Sequence, residues 1–125
     1  MAYHANITKE TINNSHFRKV LFTGKYSQLV VMSLKPMEDI GEEVHETVDQ
    51  FFRVEEGEGK AVIEDREYIL NDDDVVIVPA GSKHNLINTS SSRDLKLYTI
   101  YSPANHPEGT IHRSKSEAMK HEEKS

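Results

Sequence analysis

In the stretch VPAGSKHNLIN, residues 78–88, one imidazole follows a proline–glycine corner and opens a hydrophobic run. Proline fixes its own backbone angle and glycine admits left-handed conformations, so PAG makes a tight, rigid corner. His84 then starts the next strand on the same face as Leu86, pointing inward. An imidazole held there can ligate a metal or act as a general base. It can equally be a lone histidine bonded to a backbone carbonyl. Its partners decide between these readings.

A second stretch, GEEVHETVDQFFRVEEGEG, supplies candidates. If ETVD turns between two antiparallel segments, His45 ends one and Gln50 starts the other, so both side chains converge at one end of a barrel. Glu43 lies two residues before His45 and shares its face. Glu43, His45, Gln50 and His84 then form a mixed oxygen and nitrogen set. Neutral imidazoles with a carboxylate and an amide suit one divalent ion of Mn, Fe, Ni, Co or Zn, with positions left open for substrate oxygens. Glu43, if it is not a ligand, or His106 is the candidate catalytic base. Asp49 reads as a turn residue, and His4, His16 and His121 read as exposed. His112 is a weaker candidate than His106.

The elements that must position these residues are short. Turn formers recur at Gly24, Pro36, Gly41, Gly57, Asn71, Pro79, Ser90 and Pro103, separated by runs of about five to ten residues rich in Val, Ile, Leu, Phe and Tyr. Even spacing of this kind marks an all-β sandwich or barrel. In QFFRVEE, Gln50, Phe52 and Val54 face the core. VVIV, residues 75–78, is apolar on both faces and reads as a strand covered on each side. In DLKLYTIYS, Leu95, Leu97, Thr99 and Tyr101 alternate with Lys96, Tyr98 and Ile100. Residues 1–14 are predicted to be a partly ordered polar segment, 15–112 the barrel, and 113–125 a mobile polar tail.

Composition bounds the function classes. The chain has 125 residues and no cysteine, which excludes disulfides, thiolate metal sites and a cysteine nucleophile. A net charge of −6 with scattered lysines and arginines gives no basic footprint for nucleic acid. Mean hydropathy is −0.63, and no apolar run reaches membrane-spanning length, so a cytoplasmic protein without a membrane role is expected.

The two stretches resemble the motifs of the cupins, small double-stranded β-helix (jelly-roll) proteins. The second cupin motif runs Gly, five residues, Pro-x-Gly, two residues, His, three residues, Asn. Pro79, Gly81, His84 and Asn88 match it, with Asp73 in the place of the first glycine. The first motif ends His-x-His, three or four residues, Glu, six residues, Gly. Counted back from Gly57, Gln50 fills the glutamate place, His45 the second histidine place and Glu43 the first. Some cupins carry glutamine there and still bind metal. The resemblance covers roughly residues 28–102 and is narrowest to compact single-domain cupins described as mannose-6-phosphate isomerase-like. It implies a cupin barrel of six to eight strands with almost no helix before residue 103, and a metal at His45, His84, Gln50 and Glu43. It also implies a small oxygenated substrate such as a sugar, sugar acid or keto acid, with isomerase chemistry, an oxygenase or a non-catalytic binding protein as the alternatives. Apolar outer residues such as Phe51 point to a homodimer.

Overall fold

A computed structural model describes residues 1–124, without the side chains from residue 121 onward. Helix α1 (Ile7–Asn13) precedes nine strands: β1 (Arg18–Thr23), β2 (Gln28–Leu34), β3 (Asp49–Glu56), β4 (Gly59–Ile63), β5 (Arg66–Leu70), β6 (Val75–Val78), β7 (His84–Asn88), β8 (Leu95–Ser102) and β9 (Ile111–His112). Helix α2 (Lys115–Lys124) follows. The strands form an antiparallel six-stranded sheet, β6-β3-β8-β2-β1-β9, and a three-stranded sheet, β5-β4-β7, as in an all-β jelly roll.

Period-two patterning builds the core between the sheets. Phe52 and Val54 on β3, Val30 and Met32 on β2, Leu95 and Leu97 on β8, and Leu86 on β7 are all buried. The inward alternation expected for β3 is therefore observed, and β8 turns Leu95, Leu97, Thr99 and Tyr101 inward. The same inward phase carries polar groups toward one end of the barrel, where Gln50, Thr99 and His84 are buried as well.

Two turn positions explain local sequence. Gly81 has φ +88°, the left-handed corner that delivers His84 to the start of β7. Asp73, in the place where the cupin motif carries glycine, has φ +71°. Aspartate tolerates that conformation better than most residues, and its carboxylate meets Arg53 Nη2 at 2.9 Å.

Four expectations are corrected. The N-terminal segment is not merely polar chain: Asn6 Oδ1 caps α1 by accepting from Lys9 N at 2.9 Å, and Thr11 is fully buried. Lys96 Nζ ties the end of this helix to β8 by donating to Asn14 O at 2.6 Å. The C-terminal segment forms α2, with Ala118 packed in the core, instead of a mobile tail. VVIV is covered on one face only, because β6 is an edge strand of the larger sheet; Val75 and Ile77 are 46% and 59% exposed. An apolar run does not by itself distinguish an edge strand from a central one. Among the described residues the strands number nine, above the expected six to eight, because β9 adds a two-residue pairing to β1. Among the described residues, no helix is long and apolar enough to cross a membrane.

Gly59 permits a close approach between strands, since an added Cβ there would lie 2.6 Å from Ile87 O and 2.9 Å from Leu95 Cδ2. Gly59→Ala is expected to push β4 from β7 and lower stability by about 1–3 kcal/mol, read as a shifted urea midpoint with an unchanged slope.

Candidate metal centre

His84 and Glu43 face each other across the barrel mouth through a pair of backbone hydrogen bonds, Glu43 N to His84 O at 2.8 Å and His84 N to Glu43 O at 2.9 Å. Gly81 N donates to His45 O at 2.8 Å, which fastens the neighbouring loop to the same corner. The sequence between residues 39 and 45 thus runs as an irregular strand beside β7, and Val44 turns outward while Glu43 and His45 turn toward the site. One ligand atom from each of Glu43, His45 and His84 lies within 4.8 Å of the others. This group could hold a metal ion.

The protonation pattern of these side chains fits a cation. His84 Nδ1 is 3.0 Å from Ser82 O, a carbonyl that can only accept, so Nδ1 carries the proton. His84 Nε2 then presents a lone pair to Gln50 Oε1 at 3.2 Å, while Gln50 Nε2 donates to Thr99 Oγ1 at 3.0 Å. An imidazole nitrogen and an amide oxygen that converge in this way are a donor pair a shared cation could use. His45 Nε2 lies 2.8 Å from Glu43 Oε2, but without the alignment of a hydrogen bond, and is buried. Burial alone would raise the Glu43 carboxyl, yet the adjoining His45, with Arg18 behind it, outweighs it and holds it below the usual carboxylate range. An ionised Glu43 is the form a metal needs.

Of the other predicted residues, Asn88 is structural: its side-chain amide donates to Leu34 O, Lys35 O and Arg93 O, at 3.0, 3.1 and 2.8 Å. Asp49 Oδ1 accepts from Ala80 N at 2.8 Å and so supports the PAG corner. His106 lies beside Tyr101, its Nε2 3.3 Å from the hydroxyl. Burial, with the Arg18 cation second, pushes this imidazole down to about 3. His4 is exposed and His16 half-buried, whereas the side chain of His121 lies outside the described residues.

Sequence reasoning did not single out three residues that adjoin this end of the barrel, Tyr101, Arg18 and Gln28, and it ranked a fourth, His112, below His106. Tyr101 on β8 pairs with Gln50 across the sheet and is buried, which pushes its hydroxyl up to about 12. Arg18 opens β1, is 2% exposed, and places Nη1 3.1 Å from His112 Nδ1. His112 reaches it because Arg18 and His112 are register partners of β1 and β9. Gln28 uses its whole amide: Nε2 donates to Thr23 Oγ1 and His106 O at 2.8 and 2.7 Å, and Oε1 accepts from Asn105 N and His106 N at 3.1 and 3.0 Å. The signal for Arg18 was present in RKVLF, where it shares the inward phase with Val20, a place for an apolar residue.

A family model described as Cupin domain matches residues 30–101, and the chain belongs to the cupin family. It is 47% identical over 120 residues to YrkC of Bacillus subtilis (strain 168), covering 91% of this chain and 64% of that protein, so it spans less than two thirds of that relative's length. It is 45% identical over 112 residues to L612 of Acanthamoeba polyphaga mimivirus, covering 87% of this chain and 70% of that protein. The crystal structure of BH2720 from Bacillus halodurans superposes with a TM-score of 0.92 at 43% identity, over 96% of this chain and 95% of that one.

Unfolded His106 titrates near 6.5 and folded His106 near 3, so between these values the unfolded chain binds a proton that the folded chain refuses. Stability of the metal-free protein is expected to fall as pH drops from about 6.5 toward 3. In His106→Gln the melting temperature should vary less steeply with pH across that window, measured by calorimetry.

Proposed function

We propose that this protein is a metal-dependent cupin enzyme acting on a small oxygenated molecule, a sugar, sugar acid or keto acid, with isomerase-like proton transfer. The convergence of Glu43, His45 and His84 at one end of the barrel carries the reading. One divalent ion, Mn, Fe, Ni, Co or Zn, would be held by His45, His84 and Gln50 with Glu43 as fourth ligand. Bound there, it supplies Lewis acidity to a carbonyl or hydroxyl oxygen.

The chain's own groups do the rest. The Ser82 carbonyl fixes the His84 tautomer and Thr99 fixes the Gln50 amide, so both donors are aimed before anything binds. Glu43, partly open to solvent and ionised, is the group able to take a proton from a substrate carbon. His106 is neutral but so weakly basic that it holds a proton poorly, and it serves better as a hydrogen-bonding wall. Its state also supports a second reading, a non-catalytic binding protein: with Glu43 engaged as a ligand, the site keeps no strong base.

His84→Ala should weaken metal binding by more than about a hundredfold in calorimetry, since it removes one of two nitrogen ligands. Gln50→Glu should retain or tighten it. Glu43→Gln separates the roles: loss of metal makes Glu43 a ligand, while retained metal with lost turnover of a sugar and keto-acid panel makes it the base. A native protein that binds none of the five metals overturns the enzyme reading.

The surface beside β5 and β6 exposes Tyr68, Val75 and Ile77, apolar side chains suited to a second copy. We propose a homodimer through this face. Sedimentation should give a dimeric mass at micromolar concentration, shifted to monomer in Ile77→Lys.

A further inference from the structure

Arg18 is charged where its strand calls for an apolar side chain. It is 2% exposed, shares the inward phase of β1 with Val20, and its guanidinium forms no ion pair with an aspartate or glutamate among the described residues. Nη1 meets His112 Nδ1, and the group lies 5.2 Å from the Phe17 ring centroid. Nε is buried without a hydrogen-bond partner. A buried cation whose near contacts are an imidazole, an aromatic face and the Tyr101 hydroxyl is costly, because none of these carries a compensating negative charge. Guanidinium is a five-donor fork matched to two oxygens of one anion.

The surroundings supply the remainder of an anion site. The Tyr101 hydroxyl lies close to Arg18 and Gln50 and 3.3 Å from His106 Nε2. Tyr101 also adjoins the candidate metal centre, its ring 5.9 Å from that of His45. Glu43 is the one carboxylate in that centre, so a divalent ion together with Arg18 leaves the interior with excess positive charge. A neutral ligand would leave that charge uncompensated.

We infer that Arg18, with Tyr101, binds the carboxylate of a small hydroxy- or oxo-acid whose adjacent oxygen lies at Glu43, His45 and His84. The inference rests on the metal-site reading for the position of the second oxygen only; the carboxylate contact itself needs no metal. It narrows the substrate class from oxygenated molecules in general to organic acids, and it makes Arg18 the residue that selects them.

The experiment is calorimetric titration of the full chain, freed of metal by chelator and then reloaded, with glycolate, pyruvate, glycolamide and inorganic phosphate. Glycolamide keeps the shape of glycolate and lacks its charge. The expected result is binding of glycolate and pyruvate but not glycolamide by the metal-free protein, tighter binding after metal is added, and a loss of about ten- to a hundredfold in Arg18→Met. Arg18→Met should still take up metal, because the ligand atoms of Glu43, His45 and His84 remain. If Arg18→Met does not fold, Arg18→Lys, which keeps the charge and loses the fork, should show a loss of at least about tenfold. Equal binding of glycolate and glycolamide, unchanged affinity in the folded Arg18 variant, or tighter binding of phosphate than of either acid would overturn the inference. Arg18-dependent carboxylate binding by a protein that takes up no metal would support it and sink the metal reading alone.

Discussion

Two backbone hydrogen bonds between Glu43 and His84 hold the site together. They close an antiparallel pair and set two candidate ligand side chains on adjacent segments at a separation the backbone dictates. Everything nearby is built to keep that pair in place. The Gly81 corner delivers His84 into it, Asp49 supports the corner from the next strand, and His45 is fastened by Gly81 N. A side chain on a rigid strand can be aimed to within fractions of an ångström, which a metal or substrate oxygen demands and a free loop cannot supply.

The fold was largely legible in the sequence because turn formers at short intervals and period-two alternation are direct consequences of sheet geometry. The second motif was legible for the same reason: a proline, a left-handed glycine and an inward histidine describe one turn and one strand. Residues 43–50 were readable once His84 gave them a partner. The rest was hidden because its signals are local in sequence only by accident. Arg18 and Tyr101 meet inside the barrel from β1 and β8, and His112 joins them through a two-residue pairing that no propensity announces. The helices were underestimated because their polar composition resembles a tail; α1 is held by its cap and by its packing on the sheet rather than by helix propensity. VVIV misled because apolar character on both faces is compatible with an edge that meets solvent.

The polar interior is a compromise between folding and chemistry. Leu86, Leu95, Leu97, Phe52 and Val54 fill one part of the barrel, while Gln50, Thr99, His84, Tyr101 and Arg18 occupy inward positions that could have carried aliphatic side chains. Each of these polar groups is an opportunity lost to hydrophobic burial, and most are compensated by hydrogen bonds to one another. Buried atoms without a hydrogen-bond partner occur on Arg18 and His45 here, and also on Arg53, Glu55 and Asn85.

The Gln28 amide has a kinetic consequence. By engaging four partners it pins the backbone at Asn105 and His106 over one side of the barrel, so entry from that side would require several hydrogen bonds to break together. Passage beside Glu43 and His45, whose side chains retain 21% and 13% exposure, breaks none of them. A molecule entering on the Glu43 and His45 side would leave the Gln28 network intact, so the grip of those side chains rather than the opening of a lid would set its residence time.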